Sequence, residues 1–507
     1  MDLRLRINYD EWSVWEPNAC PMFYMFRFNC TYNAVQKYFA MPLYNTIMVF
    51  EHDKVGNQTM KWILNDDDYR IFGQQIIGLL MCPQYKAAFD DGITKSQEIL
   101  DARIMEILKT DYKFSEVPDV FDGLAEIHSE YMKYSTQYDG IQAQLDYVLT
   151  KFISKHYNQN DAANIIAALF TPEESIYTTE IFKSLYKCSL AYETKSNKLN
   201  ELLVEHSNNF FWKYNNYFST IYVTPEDVLK EIKQKNSAYY KNLIDSGEIE
   251  KTKLLKTKAK TITKLPNYER RLVEIADNYG SKFADDRKIM IWKTMAAVEK
   301  LLNIISAETK THVDDLKLLI PQELRHFLSN PKSYKQRFEE RRKLFVVVNT
   351  RFPLVDETID DTSKICITKD PFIAEGDVAI KTLEQLNTRL GFFKDSGFNS
   401  VRIQGAVAHR NEDQITGIVR IIKNPKTETV KAGEILVAPY TQPDYLPSME
   451  KSLAIVTDYG GQTSHGAVIS REMRKPCIVG TKYASSVLKT GQKIKINFID
   501  GTIEVIE

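Results

Sequence analysis

The sequence predicts a multidomain α+β protein, in which a large, mostly α-helical N-terminal part is followed by a C-terminal α/β domain. Three observations carry that prediction. From about Asp66 to Leu344 glycine is sparse and apolar residues recur at spacings of three and four, the period of amphipathic helices. Beyond about residue 401 the pattern changes to short runs of branched and alternating residues set between glycine turns, as strands require. Between the two, Pro353, Pro371, Gly376, Gly391, Gly397 and many acids mark a connection. A chain of 507 residues is long enough for two to four domains with buried cores. The expected divisions are 1–65, 66–350, 351–400 and 401–507.

Residues 1–65 are rich in aromatics. Trp12, Trp15, Phe23, Tyr24, Phe26 and Phe28 stand among polar residues, and Thr46–Glu51 is strand-like, so a small mixed segment packed on the helical domain is expected. Asp66, Asp67 and Asp68 read as the acidic first turn of a helix and not as a cation site; no metal site is expected. Thr171-Pro172-Glu173-Glu174 and Thr224-Pro225-Glu226-Asp227 each place a capping hydroxyl before a proline and two acids, which predicts two helix starts. The clearest helix runs from about Asp285 to Ala307, with Ile291, Met295, Val298, Leu302 and Ile305 on one face. Lys251, Lys253, Lys256, Lys258, Lys260 and Lys264 form a basic run, expected as a solvated surface, with contact to a nucleotide or an acidic partner as the other reading. Residues 351–400 should hold short strands such as Lys364–Thr368 and one helix around Ala379–Leu390, a composition suited to a hinge.

In the C-terminal part, Gly417–Ile422, Glu434–Ala438, Leu453–Val456 and Cys477–Val479 are strand-like, and Lys493–Phe498 and Thr502–Ile506 alternate around Asp500-Gly501, a hairpin signal. The strand at Leu453–Val456 stops at Gly460-Gly461. Thr463 or Ser464 can then cap a helix that begins at about His465, carries Ala467, Val468, Ile469 and Met473 inward, and ends before Pro476. That layout puts His465 at a helix N-terminus, where free backbone N–H groups and the macrodipole favour an anion and disfavour imidazolium. A neutral, nucleophilic ring results, and a phosphoryl group on it would be held in place. Gly460 and Gly461 let a phosphate donor approach the backbone, and the hydroxyls of Thr463 and Ser464 can orient the ring or donate to phosphate oxygens. The chemistry this implies is phosphoryl transfer through a phosphohistidine. Arg471 and Glu472 are expected to tie the helix to its neighbours, and Cys477 to pack in the core.

Gly460-Gly461-Gln462-Thr463-Ser464-His465-Gly466-Ala467-Val468-Ile469-Ser470-Arg471-Glu472, followed by Lys475-Pro476-Cys477-Ile478-Val479-Gly480, resembles the swivelling phosphohistidine domain of the phosphoenolpyruvate-utilising enzymes. That family includes phosphoenolpyruvate synthase, pyruvate phosphate dikinase, the first enzyme of the sugar phosphotransferase system and rifampicin phosphotransferase. Gly433–Pro439, Thr441-Gln442-Pro443, Gly405, Gly417–Arg420, Gly491-Gln492 and Asp500-Gly501 extend the resemblance. The resemblance implies a domain of β/β/α type in which His465 is the phosphorylated residue, Thr463 and Ser464 assist it, and Gly460, Gly461 and Gly466 line the phosphate. Gly466 and Ser470 depart from the family, which often has alanine there, and Arg474-Lys475 replace a stretch that is commonly apolar or glycine.

The resemblance also shapes what is expected upstream. Residues 66–350 stand where rifampicin phosphotransferase-like proteins bind their acceptor. Within them, Glu205-His206-Ser207-Asn208-Asn209-Phe210-Phe211-Trp212 joins His206 to a dense aromatic run that either walls an acceptor pocket or forms an aromatic core. Arg287, Lys288 and Lys293, at the head of the long helix, either stabilise a phosphoryl group in flight or serve as helix-end salt bridges. Glu339-Glu340-Arg341-Arg342 echoes the same domain less specifically. No Walker-type loop or ATP-grasp-like stretch is found upstream and no barrel follows, so half of a split phosphotransferase is expected, whose separate ATP-grasp subunit binds ATP and Mg²⁺. The acceptor is an unidentified small molecule. A non-enzymatic phosphocarrier or regulator is the alternative, and a degenerate scaffold a third reading, against which the intact motif stands.

Composition narrows the partners. With 66 basic and 67 acidic residues the net charge is −1, which gives no reason to expect nucleic acid or an anionic membrane. No stretch approaches the ~20 apolar residues of a membrane span. Six scattered cysteines without a Cys-x-x-Cys pair suggest a reducing, cytoplasmic setting.

Overall fold

The computed structural model describes residues 12–15, 19–26, 29, 45–52, 58–173, 177–279, 281–350, 372–390, 403–423, 425, 428–462 and 464–506. The chain forms two compact units, one from residues 1–72, 93–136 and 297–401, the other from residues 73–92, 137–296 and 402–507. The C-terminal α/β region therefore shares a unit with the helices of 137–296. The expected strand at Lys364–Thr368, and Phe28, Glu174, Cys30 and Cys366, lie outside the described residues.

The first unit carries an antiparallel sheet of strands β1 (Trp12–Trp15), β2 (Asn45–His52), β3 (Gln58–Asn65), β4 (Phe345–Thr350) and β5 (Phe372–Glu375), in the order β1-β3-β2-β4-β5. The strand-like stretch at Thr46 thus pairs both with its sequence neighbour β3 and with the distant β4. Phe50 and Phe345 stack across that pair with ring centroids 5.5 Å apart. Helices Lys335–Lys343 and Gly376–Leu390 flank β4 and β5 in sequence. Arg341 is wholly buried and is held by Glu323 and Glu375, with one Nη1 donating to the Leu318 carbonyl at 2.6 Å. A buried guanidinium needs such complete pairing, because desolvation alone would expel it. Within the Glu-Arg run at 339–342, Arg341 is thus a structural residue, while Arg342 pairs with Asp315 and Glu340 with Lys343.

In the second unit, helices Gln137–His156, Gln159–Leu169, Tyr177–Glu193, Leu199–Phe210, Pro225–Gln234, Ser237–Ile262 and Asn267–Tyr279 join the α/β region, which is packed most closely by Ser237–Ile262 and Gln159–Leu169. The helix start expected at Thr224 forms a capping box, in which Thr224 Oγ1 accepts from the Asp227 N–H and Asp227 accepts from the Thr224 N–H. The start expected at Thr171 does not form. Its hydroxyl donates backwards to the Ala167 carbonyl at 2.8 Å, closing the preceding helix, and the next helix begins at Tyr177. The long helix extends over Ser281–Thr309, and Ile291, Met295, Val298, Leu302 and Ile305 are all buried. In the basic run, Lys253, Lys256 and Lys260 face solvent, as expected of a surface. Lys258 turns inward, pairs with Asp277 and donates to the Thr171 carbonyl at 2.9 Å.

Residues 403–505 fold into an eight-stranded sheet of strands β6 (Ile403–Gln404), β7 (Ala406–His409), β8 (Gln414–Ile421), β9 (Glu434–Ala438), β10 (Ile455–Thr457), β11 (Cys477–Val479), β12 (Lys493–Asn497) and β13 (Thr502–Val505). Their order is β6-β13-β12-β8-β9-β10-β11-β7. The central four, β8 to β11, run parallel, and the flanking strands are antiparallel. Parallel strands need crossovers, and helix Leu446–Lys451 lies between β9 and β10 as helix His465–Glu472 lies between β10 and β11. Both faces of the sheet are covered. Leu436, Ala438, Ile455 and Cys477 pack with Ala467, Val468 and Ile469 on one side, whereas Ile435, Val437, Val456 and Ile478 pack with Ala484 and Leu488 on the other. This explains why β9 to β11 appear in the sequence as unbroken apolar runs while β12 alternates. Gly501, at φ 74°, makes the β12–β13 turn, where a side chain would meet the Gly405 backbone.

Candidate functional site

Helix His465–Glu472 begins at the carboxyl end of β10, at the middle of the parallel set. The chain leaving β10 is fixed from both flanks. The Asp458 N–H donates to the Ala438 carbonyl at 3.2 Å and the Tyr459 N–H to the Pro439 carbonyl at 2.9 Å, while Thr457 Oγ1 donates to the Tyr459 carbonyl at 2.9 Å. The buried Asp458 carboxylate in turn accepts from Thr481 Oγ1 at 2.9 Å, from the Ser485 N–H at 3.0 Å and from the Ser485 hydroxyl. A loop so held presents the next residues in one geometry.

Those residues are the two glycines. Gly460 takes φ 113°, and a Cβ there would lie 2.6 Å from Ser464 Oγ, so the left-handed turn and the close approach both demand glycine. The Gly461 carbonyl accepts from the Ser464 N–H at 3.0 Å. Ser464 is the helix N-cap, its Oγ accepting from the Ala467 N–H at 3.4 Å and its carbonyl from the Val468 N–H at 2.9 Å. Of the first-turn donors, the N–H groups of His465 and Gly466 are left without an acceptor inside the helix, so the helix opens with two amides available to an anion. Gly466 is the point of closest packing beneath them. A Cβ at that position would stand 2.9 Å from Thr441 Oγ1, on the loop after β9. The sequence places His465 as the first helical residue, and the backbone agrees; its imidazole, and the whole of Thr463, lie outside the described residues.

The far end of this helix is anchored by Arg471. Its buried guanidinium donates to the Gln462 side-chain oxygen at 3.2 Å, to the Gln462 carbonyl, and to the Ala408 carbonyl at 3.4 Å, while Gln462 Nε2 donates to the Val407 carbonyl at 2.9 Å. Arg471 thereby clamps the glycine loop to β7, and burial lowers its pKa to about 10. Cys477 is buried, as a core residue should be, and burial pushes its thiol up to about 12.

Three carboxyl groups stand where this region meets the helices of the same unit. Asp146, on helix Gln137–His156, lies so close to Gly461 that any side chain there would overlap its carboxylate. Burial raises its pKa to about 7, against the pull of Arg471 and the Gln462 N–H. Glu472 accepts from Thr179 Oγ1 at 3.0 Å, and burial raises it to about 8. Asp285 is buried and held well above the usual carboxylate range by desolvation, with Lys288 opposing and Glu472 and Asp286 reinforcing the rise. Asn216 Nδ2 donates to Asp444 at 3.1 Å, and Glu450 accepts from Lys235 Nζ at 2.6 Å and Tyr239 Oη at 2.7 Å, which completes the polar fringe of this contact.

The upstream candidates do not gather at one place. His206 is fully buried, with Nδ1 2.8 Å from Ser184 Oγ, Nε2 3.4 Å from Lys213 Nζ and its ring 4.9 Å from that of Phe210. Burial, then the Lys213 charge, lowers its pKa to about 3, so the ring is neutral at any ordinary pH. Lys213 pairs with Glu231 at 2.8 Å. Arg287 is buried, paired with Asp139 at 2.7 Å and placed over the Tyr138 ring at 4.8 Å. Lys288 is lowered to about 8 by burial, with Asp285 pulling it back up, and Lys293 is half-buried. Sequence reasoning missed Asp146 and gave no role to Asp458, whereas Asp285 was singled out with Arg287 and Lys288 at the head of the long helix. Only Gly461 could have hinted at Asp146, as a glycine whose missing side chain admits a neighbour. The side chains of Asp66, Asp67 and Asp68 lie outside the described residues, and among the described residues no group of three or more His, Cys, Asp or Glu is arranged to hold a metal ion. Among the same residues no helix is long and apolar enough to cross a membrane.

Comparison with known proteins places this site in a family context. Residues 430–501 match the family model of the PEP-utilising enzyme mobile domain. The chain is 48% identical over 85 residues to phosphoenolpyruvate synthase of Pyrococcus furiosus, which is 17% of this chain and 10% of that protein. It is 37% identical over 123 residues to the phosphoenolpyruvate synthase of Neisseria meningitidis, covering 24% of this chain and 15% of that one. To the phosphoenolpyruvate synthase of Deinococcus radiodurans it is 33% identical over 170 residues, 30% of this chain and 21% of the relative. The matched part thus spans a tenth to a fifth of the length of these relatives.

Proposed function

We infer, for a chain whose residues 430–501 match the family model of the PEP-utilising enzyme mobile domain, a phosphotransferase component that carries a phosphoryl group on His465. The observation that supports this most is the backbone. His465 is the first residue of a capped helix at the carboxyl end of a central parallel strand, with two helix-start amides beside it and a glycine turn in front. In the proposed cycle, an imidazole nitrogen attacks a phosphoryl group, the bond to the donor oxygen breaks, and the helix N-terminus offsets the charge of the phosphohistidine. The domain then delivers the group to an oxygen of a small-molecule acceptor bound by the helices of 66–350.

Charging is assigned to a separate ATP-grasp subunit that holds ATP and Mg²⁺. If it follows dikinase chemistry, ATP and water yield AMP and phosphate while the imidazole gains the phosphoryl group. On this chain, Ser464 and Thr463 orient the ring or donate to phosphate oxygens, and Gly460, Gly461 and Gly466 keep the approach free of side chains. Arg287, Lys288 and Lys293 are proposed to line the acceptor side through their positive charge. His206 would serve there only after a rearrangement that opens its pocket, because the ring is sealed. That sealing favours the second reading, in which the chain is a phosphocarrier without an acceptor site of its own.

The test is to incubate the full chain and the products of neighbouring genes with ATP labelled at the β or γ phosphate. Acid-labile label on the protein that disappears in His465→Ala, and leaves wild type when a small-molecule acceptor pool is added, supports the transferase. Label that stays on the chain through that chase supports the carrier. Absence of label under every donor, phosphoenolpyruvate included, ends both readings.

A further inference from the structure

Both ends of the His465 helix are pinned to the helices of the same unit by carboxyl groups buried in unusual ways. At the front, the Asp146 carboxylate occupies the space that the missing Gly461 side chain leaves, and its Oδ1 is sealed from solvent with no hydrogen-bond partner among the described residues. At the back, Glu472 gives one oxygen to Thr179 while its Oε2 is sealed and likewise unpartnered. There helix Ser237–Ile262 comes so near that a side chain at Gly247 would lie 3.4 Å from the Glu472 carbonyl. Two narrow clefts of about 20 and 30 Å³ reach Glu472, room for water and not for a metabolite. An ionised carboxylate with one oxygen sealed away from any donor is costly, and a protonated one is less so.

We propose that Asp146 and Glu472 form a proton-dependent latch that holds the mobile domain on the helices of residues 137–296 and lets it go when they ionise. This deepens the phosphohistidine reading by naming what governs the domain's departure, and its evidence is the docked contact itself. The charged groups that face the two carboxyls are few. Arg471 acts on Asp146; Lys251 and Glu248 on helix Ser237–Ile262, and Arg471 on its own helix, act on Glu472; Asp285 faces Glu472 from the long helix and Tyr177 from helix Tyr177–Glu193. With pKa values raised to about 7 and about 8 when docked, against ordinary carboxylate values when released, the docked state binds the extra protons. Its stability is complete below about pH 4 and is lost as the pH climbs to about 8.

The experiment is hydrogen exchange on the full chain at about pH 6 and about pH 8.5, corrected for the intrinsic pH dependence of exchange and read in peptides covering 137–156 and 465–472. Wild type should lose at least about tenfold of its protection in both peptides at the higher pH. The isosteric double variant Asp146→Asn with Glu472→Gln should keep it, and Gly461→Ala, whose methyl collides with Asp146, should exchange fast at both values. Unchanged wild-type protection, a double variant that opens as wild type does, or a Gly461→Ala protein that stays protected would each overturn the latch. Acid-labile labelling of His465 measured on the same samples separates the two ideas. Label with pH-independent protection sinks the latch alone, and pH-dependent opening without label sinks the phosphohistidine alone.

Discussion

Two histidines in the second unit carry opposite lessons. His465 sits at the first turn of a short helix, after a glycine loop and against a parallel strand end, whereas His206 sits inside a helix with its ring between Ser184, Lys213 and Phe210. The first position is set by the backbone, through a turn and a cap that the local sequence dictates. The second owes its properties to side chains brought in from elsewhere, and these keep it neutral and enclosed.

The contrast breaks first at the clamp behind His465. Replacing the buried Arg471 by Met strands the Gln462 and Ala408 carbonyls and frees the glycine loop, and should cost about 3 kcal/mol in urea unfolding. A midpoint equal to that of wild type would show that the loop holds its shape unaided.

The next effect belongs to the enclosed histidines. His206 and His409 both have pKa values lowered to about 3, chiefly by burial, so each is neutral when folded and gains a proton on unfolding below its ordinary value. A base depressed in the folded state stabilises above about pH 6.5 and loses that contribution as the pH falls towards 3, at about 1.4 kcal/mol per pH unit for each ring. Because the raised carboxyls of Asp146, Glu472 and Asp285 act in the opposite direction over the same range, the ring is read as a difference: in calorimetric scans from pH 7 to 4 the melting temperature of wild type should lose ground relative to that of His206→Gln as the pH falls. Equal slopes would mean that the ring is not sealed.

Smaller changes sharpen the helix start. Ser464→Ala removes the acceptor of the Ala467 N–H and should destabilise by about 1 kcal/mol, while Ser464→Asp should restore most of it. Gly466→Ala gains helix propensity but sets a methyl 2.9 Å from Oγ1 of the buried, β-branched Thr441, so a net loss of about 1 kcal/mol is expected. A much larger loss would show that the loop after β9 cannot yield.

Much of the C-terminal region was legible because each signal was local. Glu434–Ala438 and Cys477–Val479 were found to the residue, the Asp500-Gly501 turn joins the hairpin, and the helix begins at His465 as its cap predicts. Strand order was not legible: β7 and β11 are adjacent although almost seventy residues separate them. Thr171 failed as a helix start because its hydroxyl closes the preceding helix by donating to the Ala167 carbonyl, a choice that the four-residue pattern cannot reveal. The division of the chain was hidden for the same reason, since residues 73–92 and 137–296 join 402–507 through contacts that no linker composition marks. Asp146 illustrates the limit most sharply. Nothing in Gln-Leu-Asp-Tyr-Val tells of a carboxyl pressed on a glycine more than three hundred positions away.

The direct measurement of the central claim is phosphopeptide mapping under alkaline conditions, after the full chain has met its phosphoryl donor, on wild type, His465→Ala and His206→Ala. The account predicts one acid-labile phosphate, on the peptide that contains His465, retained in His206→Ala and absent from His465→Ala. Phosphate found on any other residue, or persisting when His465 is replaced, would contradict it.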